Sequence, residues 1–283
     1  MDIAVKIVIA PIIFGAFLYF VSGIRMHRAA GMMLTFPALN GITLAFSPNA
    51  LSLASGMLPM IAVNGVLCLA FIQLFEVISS HWPKQRWIGS YLFFIGCAIW
   101  YGASRMTIPV PITWQPPFIA GYAILAVAVT IVLWYNRPAA KAGGIRVPIL
   151  NFLKDRKLWG RIGLFEGIFI AVLAFDHWGS TFFAGQLGAA PLLPLFGLAV
   201  IAEGTDPVQE LKRVKISVLL GPIFAMSFVF VLAPRSALVD LIGALMMLLG
   251  AWMLCFLEIW LLSVAFQLIE TRAQGPHTAS ATQ

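Results

Sequence analysis

Long apolar runs recur from one end of this chain to the other, and they limit its possible folds more than any other feature. They fall near 3–23, 30–46, 57–80, 87–104, 117–135, 162–180, 187–203, 213–233 and 236–270, bounded by charges or Pro/Gly clusters. A hydrocarbon core about 30 Å thick is crossed by about 20 apolar residues in a helix. With no water there to serve backbone N–H and C=O groups, helices and closed barrels are the only structures that cross. Runs of this length predict an all-α polytopic transmembrane bundle of nine spans. The last run, 236–270, would form a helix about 52 Å long at roughly 1.5 Å per residue. It must tilt, bend, protrude or divide near Gly250 or Glu258, and division raises the count to ten.

The composition agrees with this class and excludes a single soluble domain. The chain is 61% hydrophobic and 10% charged, where soluble domains average roughly 45–50% and 25%. The longest polar stretch, near the middle, is too short for a soluble catalytic domain. Cys68, Cys97 and Cys255 lie inside apolar runs without metal-type spacing and are read as packing residues. No haem, flavin or metal spacing appears, so neither a cofactor nor a metal is expected. The N-terminal run precedes Arg25 and Arg28 rather than a small-residue cleavage site, and reads as a retained span.

A net charge of +7 invites a nucleic-acid reading, but basic residues in a membrane chain mark cytoplasmic loops. When the loops are placed on alternate sides, fifteen of the 18 basic residues fall on one side. The other side holds Lys6, Arg105 and Arg235. This bias predicts a multi-pass plasma-membrane protein with its N-terminus outside and its C-terminus inside, and it removes nucleic acid as a partner. The 136–161 loop carries seven basic residues against Asp155. Its apolar Ile149, Leu150, Phe152 and Leu153 precede a cationic cluster and suggest a short helix on the inner leaflet, attracted to anionic lipid headgroups.

One short pattern recurs. Ala30-Gly31, five residues and Pro37 is matched by Ala184-Gly185, five residues and Pro191, at an offset of 154. Each copy continues through an apolar stretch with Gly41 or Gly197 to Ser47-Pro48 or Asp206-Pro207, and then into another span. The chain therefore divides into a first membrane repeat (1–104), a linking span and basic loop (105–161), a second repeat (162–270) and a tail (271–283). The odd span at 117–135 would invert the second unit relative to the first. Inverted repeats are common in secondary transporters, whose sites form near the midplane where Gly/Pro-interrupted helices free backbone groups. The same Gly and Pro residues can instead serve close helix packing.

The segment Ala30-Gly31 with Phe36-Pro37-Ala38-Leu39 resembles the Ala-Gly, Phe-Pro segment of small bacterial GlpM-like inner-membrane proteins. The second half has Ala190-Pro191 in place of Phe-Pro. The resemblance spans about twenty residues of each half. It implies a fused tandem of a four-span unit, and it carries over no catalytic residue.

Charges inside spans cost about 2.5–3.5 kcal/mol on insertion scales and mark function by default. Glu76, with Gln73, and Glu166 lie about one turn from the inner ends of their spans, within reach of water or of Lys84, Arg86 or Arg161. Asp176-His177 falls near an outer end, where the side chains can snorkel, and Glu203 and Asp240 lie at span edges. Glu258 has no basic residue within twelve positions on either side, so its partner must come from another helix or from substrate. Asn40 and Asn64 are uncharged polar groups in flanking spans. The expected substrate-binding or coupling set is therefore Glu258, Asn40, Pro37, Gly31, Gly185, Pro191, Glu76 and Glu166. The function expected from it is movement of a small solute or lipid-linked substrate, with proton coupling through a buried carboxylate. The alternative is a membrane-embedded enzyme or accessory subunit of envelope-polymer or lipid assembly. The outer loops, with Arg105, Asp176, His177 and Arg235, offer no carboxylate pair or phosphate-binding cluster for such chemistry, and no repeated polar filter suggests a channel.

Overall fold

The computed structural model describes residues 3–22, 32, 38–47, 49–82, 87–135, 153–203, 206–236 and 241–273. Every regular element among them is helical: α1 (Ile3–Ser22), α2 (Ala38–Phe46), α3 (Ala50–His81), α4 (Trp87–Met106), a single 3₁₀ turn leading into α5 (Gln115–Tyr135), α6 (Arg156–Trp178), α7 (Thr181–Gly188), α8 (Leu192–Ala202), α9 (Pro207–Lys215), α10 (Gly221–Ser236) and α11 (Leu241–Ala273). Six helical segments among the described residues are long and apolar enough to cross a membrane: Ala50–His81, Trp87–Met106, Ile112–Tyr135, Leu158–Trp178, Thr181–Ala202 and Met246–Phe266. Lys6–Ala16 and Gly221–Pro234 are shorter apolar helices. The chain is a helical membrane protein by length and composition.

Two expected spans take a different form. The run 236–270 yields α11 as one continuous helix, unbroken at Gly250 and Glu258 and about 50 Å long at 1.5 Å per residue. The run 213–233 does not begin as a span. Asp206 caps α9 by accepting from Gln209 N, and α9 buries Leu211 and Val214 against α3 and α8. A tight turn at 216–220 then leads into α10. The loop expected at 204–215 is thus largely an amphipathic helix, because Leu211 and Val214 share one buried face while Glu210 is exposed. Gly31, Pro37 and the apolar part of the basic loop at 149–152 lie outside the described residues.

α3 runs through the centre and packs on α4, α7, α8, α9 and α10. It meets α7 most closely. A methyl on Gly185 would overlap the Leu53 carbonyl, and one on Gly56 would overlap the Phe182 carbonyl, so both residues serve a backbone-to-backbone approach that excludes a Cβ. Phe14 of α1 stacks on Phe165 of α6 with centroids 4.1 Å apart. Some of the remaining contacts come in pairs. α2 lies on α10 and α11 as α8 lies on α3 and α4, α3 packs on α4 as α10 packs on α11, and α1 meets α2 as α6 meets α8. α5 stands to one side, touching α10 and donating from the Tyr122 hydroxyl to Leu219 O at 3.2 Å.

Candidate functional site

The membrane-length segment Thr181–Ala202 is broken at its middle, between α7 and α8. Pro191 has no N–H, so the Leu187 carbonyl loses its helical donor and accepts from Ala190 N at 2.9 Å instead. Pro194 likewise cannot donate to the Ala190 carbonyl. Ala189 O, turned out of the helix by the break, accepts from the Asn64 side-chain amide of α3. Asn64 lies near the midpoint of α3, so the break and its tether are at mid-depth in the bundle.

Two further helices bring polar groups toward this level. Thr43 of α2 is 1% exposed, and its Oγ1 lies 3.6 Å from where a methyl on Gly188 would stand. α4 runs antiparallel beside α7 and α8. Gly96 faces Leu195, and Ser104 O accepts from Gln186 Nε2 at 2.8 Å; Trp100, buried, lies between these two positions on the same face of α4. Gln186 also donates to Thr107 Oγ1 at 2.6 Å, so its amide fixes α7 to the end of α4. Thr43 Oγ1, Asn64 Oδ1 and Trp100 Nε1 are buried without a hydrogen-bond partner among the described residues. Unmet polar groups in the interior cost free energy, so a cluster of them beside a broken helix marks a place suited to a ligand.

Both ends of the bundle are tied by side chains that join the first half to the second. At the start of α3, Asp176 accepts from Ser47 Oγ at 2.6 Å and from Asn49 Nδ2 at 3.1 Å, beside Lys6 Nζ donating to Phe46 O at 2.6 Å. At the other end of α3, Glu76 pairs with Lys215 at 2.6 Å, both largely shielded, and Ser90 donates to Glu203 at 3.1 Å. Asn49 and Glu76 are about 40 Å apart along α3 at 1.5 Å per residue, with Asn64 between them.

The residues singled out from sequence are dispersed by this arrangement. Pro191 caps α8 at the break, and Gly185 lies one turn earlier, committed to the contact with α3. Asn40 is half-buried in the first turn of α2, on the same helix as Thr43. Glu76 takes Lys215 as its partner; of the cations expected from sequence, Lys84 and Arg86 lie outside the described residues. Glu166 has both carboxylate oxygens buried without a partner among the described residues; it lies one turn beyond Ile162, which faces Gly15 of α1. Glu258 is exposed on α11 with Leu254, Leu257 and Leu261, while Cys255, Phe256 and Ile259 face inward. The structure does not bring Glu258 to the break. Asp176, expected to snorkel, is instead the acceptor that joins the halves. Sequence reasoning missed Thr43, Trp100, Gln186 and Ser104, because Thr, Trp and Ser within an apolar run carry little hydropathy signal and Gln186 fell between two runs. Gln186 alone had a pointer, its place inside the Gly185–Pro191 pattern.

Among the described residues no group of three His, Cys, Asp or Glu side chains could hold a metal ion. No family model, curated protein or solved structure matches the chain.

Proposed function

We propose that this protein is a secondary transporter of the bacterial inner membrane, moving a small or lipid-linked substrate through two inverted four-span units. The observation that carries the reading is the polar cluster at the α7–α8 break, halfway between two ties that each join one unit to the other. A carrier needs a mid-depth site and a closure on either side that opens alternately, and here both closures are made by side chains of opposite halves. The paired contacts support a repeat of the two units, since exchanging α1, α2, α3 and α4 for α6, α8, α10 and α11 carries each paired contact into its counterpart. In this reading α5 is the odd span that inverts the second unit. The nine-span count, the outside N-terminus, the anionic-lipid contact of the 136–161 loop and the fused GlpM-like origin belong to the same proposal. The unmatched Trp100 N–H asks for a substrate with a hydrogen-bond acceptor.

Site-directed accessibility tests this without knowledge of the substrate. In a cysteine-free background, Asn64→Cys is labelled with a membrane-impermeant maleimide from each face of oriented vesicles. Lys215→Met should raise labelling from the Glu76 end, and Asp176→Ala should raise it from the Asn49 end. Labelling that neither variant changes from either face would mean a sealed bundle, and the transport reading would fall.

A further inference from the structure

The free oxygens at the break define a ligand chemistry. Asn64 must present Nδ2 to Ala189 O, because a carbonyl only accepts; the amide is thereby oriented and its unpartnered atom is the acceptor Oδ1. Thr43 Oγ1 is equally unpartnered, and both residues are more than nine-tenths buried, at 1% and 8% exposure. They flank consecutive residues, Thr43 at Gly188 and Asn64 at Ala189. Those residues form the C-terminal end of a half-helix, where the dipole is negative and carbonyls point away from the chain. These ligands are all oxygen and include no carboxylate, thiolate or imidazole; the Trp100 N–H, a donor only, stays outside the set. Neutral hard oxygens at an unwound helix end suit an alkali cation, whereas divalent calcium or magnesium sites draw on carboxylates and transition metals on nitrogen and sulfur. Space is short, since a methyl on Gly188 would stand 2.7 Å from Met57 Cε, and this favours the smaller ion.

We propose that the α7–α8 break is a sodium site, with Thr43 Oγ1, Asn64 Oδ1 and main-chain carbonyls of residues 188–190 as its ligands. The proposal rests on the transport reading only in making sodium the coupling ion. It replaces the proton coupling expected from a buried carboxylate, because the break contains none among its described ligands.

The test is thermal unfolding of the purified full-length protein in detergent, in NaCl, KCl or choline chloride at equal ionic strength. Sodium should raise Tm saturably by several degrees, and potassium and choline should not. Thr43→Val, which keeps the shape and removes the oxygen, should abolish the sodium response, and Thr43→Ser should retain it. Equal Tm in the three salts, as expected if a buried water fills the break, would overturn the proposal, as would a full sodium response in Thr43→Val. If that variant does not fold, binding of radioactive sodium to the wild-type protein decides: displacement by NaCl and not by KCl supports the site, and no displaceable binding removes it. Sodium binding with closures that never open would refute transport and leave the site standing. Opening closures without sodium binding would do the reverse.

Discussion

Replacing Gly185 by alanine tests the packing that holds the broken helix in place. The added methyl would overlap the Leu53 carbonyl of α3, a main-chain atom that cannot rotate aside, so the two helices must separate. Overpacking of this kind costs about 1–3 kcal/mol. Alanine returns up to about 1 kcal/mol through its better helix propensity. The net effect should be a loss of about 1–2 kcal/mol, larger if the separation also stretches the bond from Asn64 to Ala189. Gly250 provides the control, because it lies in the interior of α11 with nothing within 4 Å of an added methyl. There the same exchange should be neutral or stabilising by up to about 1 kcal/mol. Since about 1 kcal/mol moves Tm by 2–4 °C in a chain of this size class, Gly185→Ala should melt several degrees below Gly250→Ala when unfolding is followed by size-exclusion chromatography of heated detergent samples. If Gly185→Ala melts as high as Gly250→Ala, the close approach of α3 and α7 is not real, and the position assigned to Asn64 loses its support.

Asn64→Leu removes the donor to Ala189 O and leaves a buried carbonyl unmet; a loss of about 1–3 kcal/mol is expected, toward the lower end if the value follows the weak hydrogen bonds measured between membrane helices, and Tm reads it. Lys215→Met leaves the Glu76 carboxylate largely shielded and without its cation. A loss of about 1–3 kcal/mol, between the values for exposed and fully buried pairs, should be recovered in part by Glu76→Gln in the double variant, and a double-mutant cycle measures the coupling. Glu258→Gln acts on a side chain that points away from the bundle. Sodium-dependent stability and the labelling of Asn64→Cys should therefore stay within about twofold of the parent protein by the additivity of distant sites; loss of either would return Glu258 to the mechanism.

How much of this was legible in the residues depended on the kind of signal they carried. The central span at 57–80 emerged as most of α3, and 87–104 as most of α4, because some twenty predominantly apolar residues in a row allow few alternatives. The Gly185–Pro191 pattern marked a helix interruption, where Pro191 and Pro194 three residues apart remove two helical donors; a lone proline such as Pro11 or Pro59 leaves α1 and α3 continuous. Glu258 illustrates the opposite case. Its isolation in sequence made it conspicuous, but sequence does not say which face of α11 turns inward when both faces are equally apolar. The apolar face that normally orients a helix is missing in a chain meant for lipid, so the burial of Thr43 and Trp100 was equally hidden.

By itself, then, the sequence determined that the chain is a bundle of apolar helices, that closely spaced Gly and Pro residues weaken one of them near Pro191, and that its basic residues crowd one side of the expected topology. These follow from local covalent chemistry and from the cost of placing polar groups in hydrocarbon. Only the tertiary structure decided that Asn64 reaches Ala189 across 125 positions of chain, that Glu76 belongs with Lys215, and that Asp176 joins the second half to the loop before α3. Those pairings depend on which helix faces meet. In a membrane that choice is made by the fit of small residues such as Gly56 and Gly185 and by a few hydrogen bonds, and neither leaves a periodic trace in the sequence.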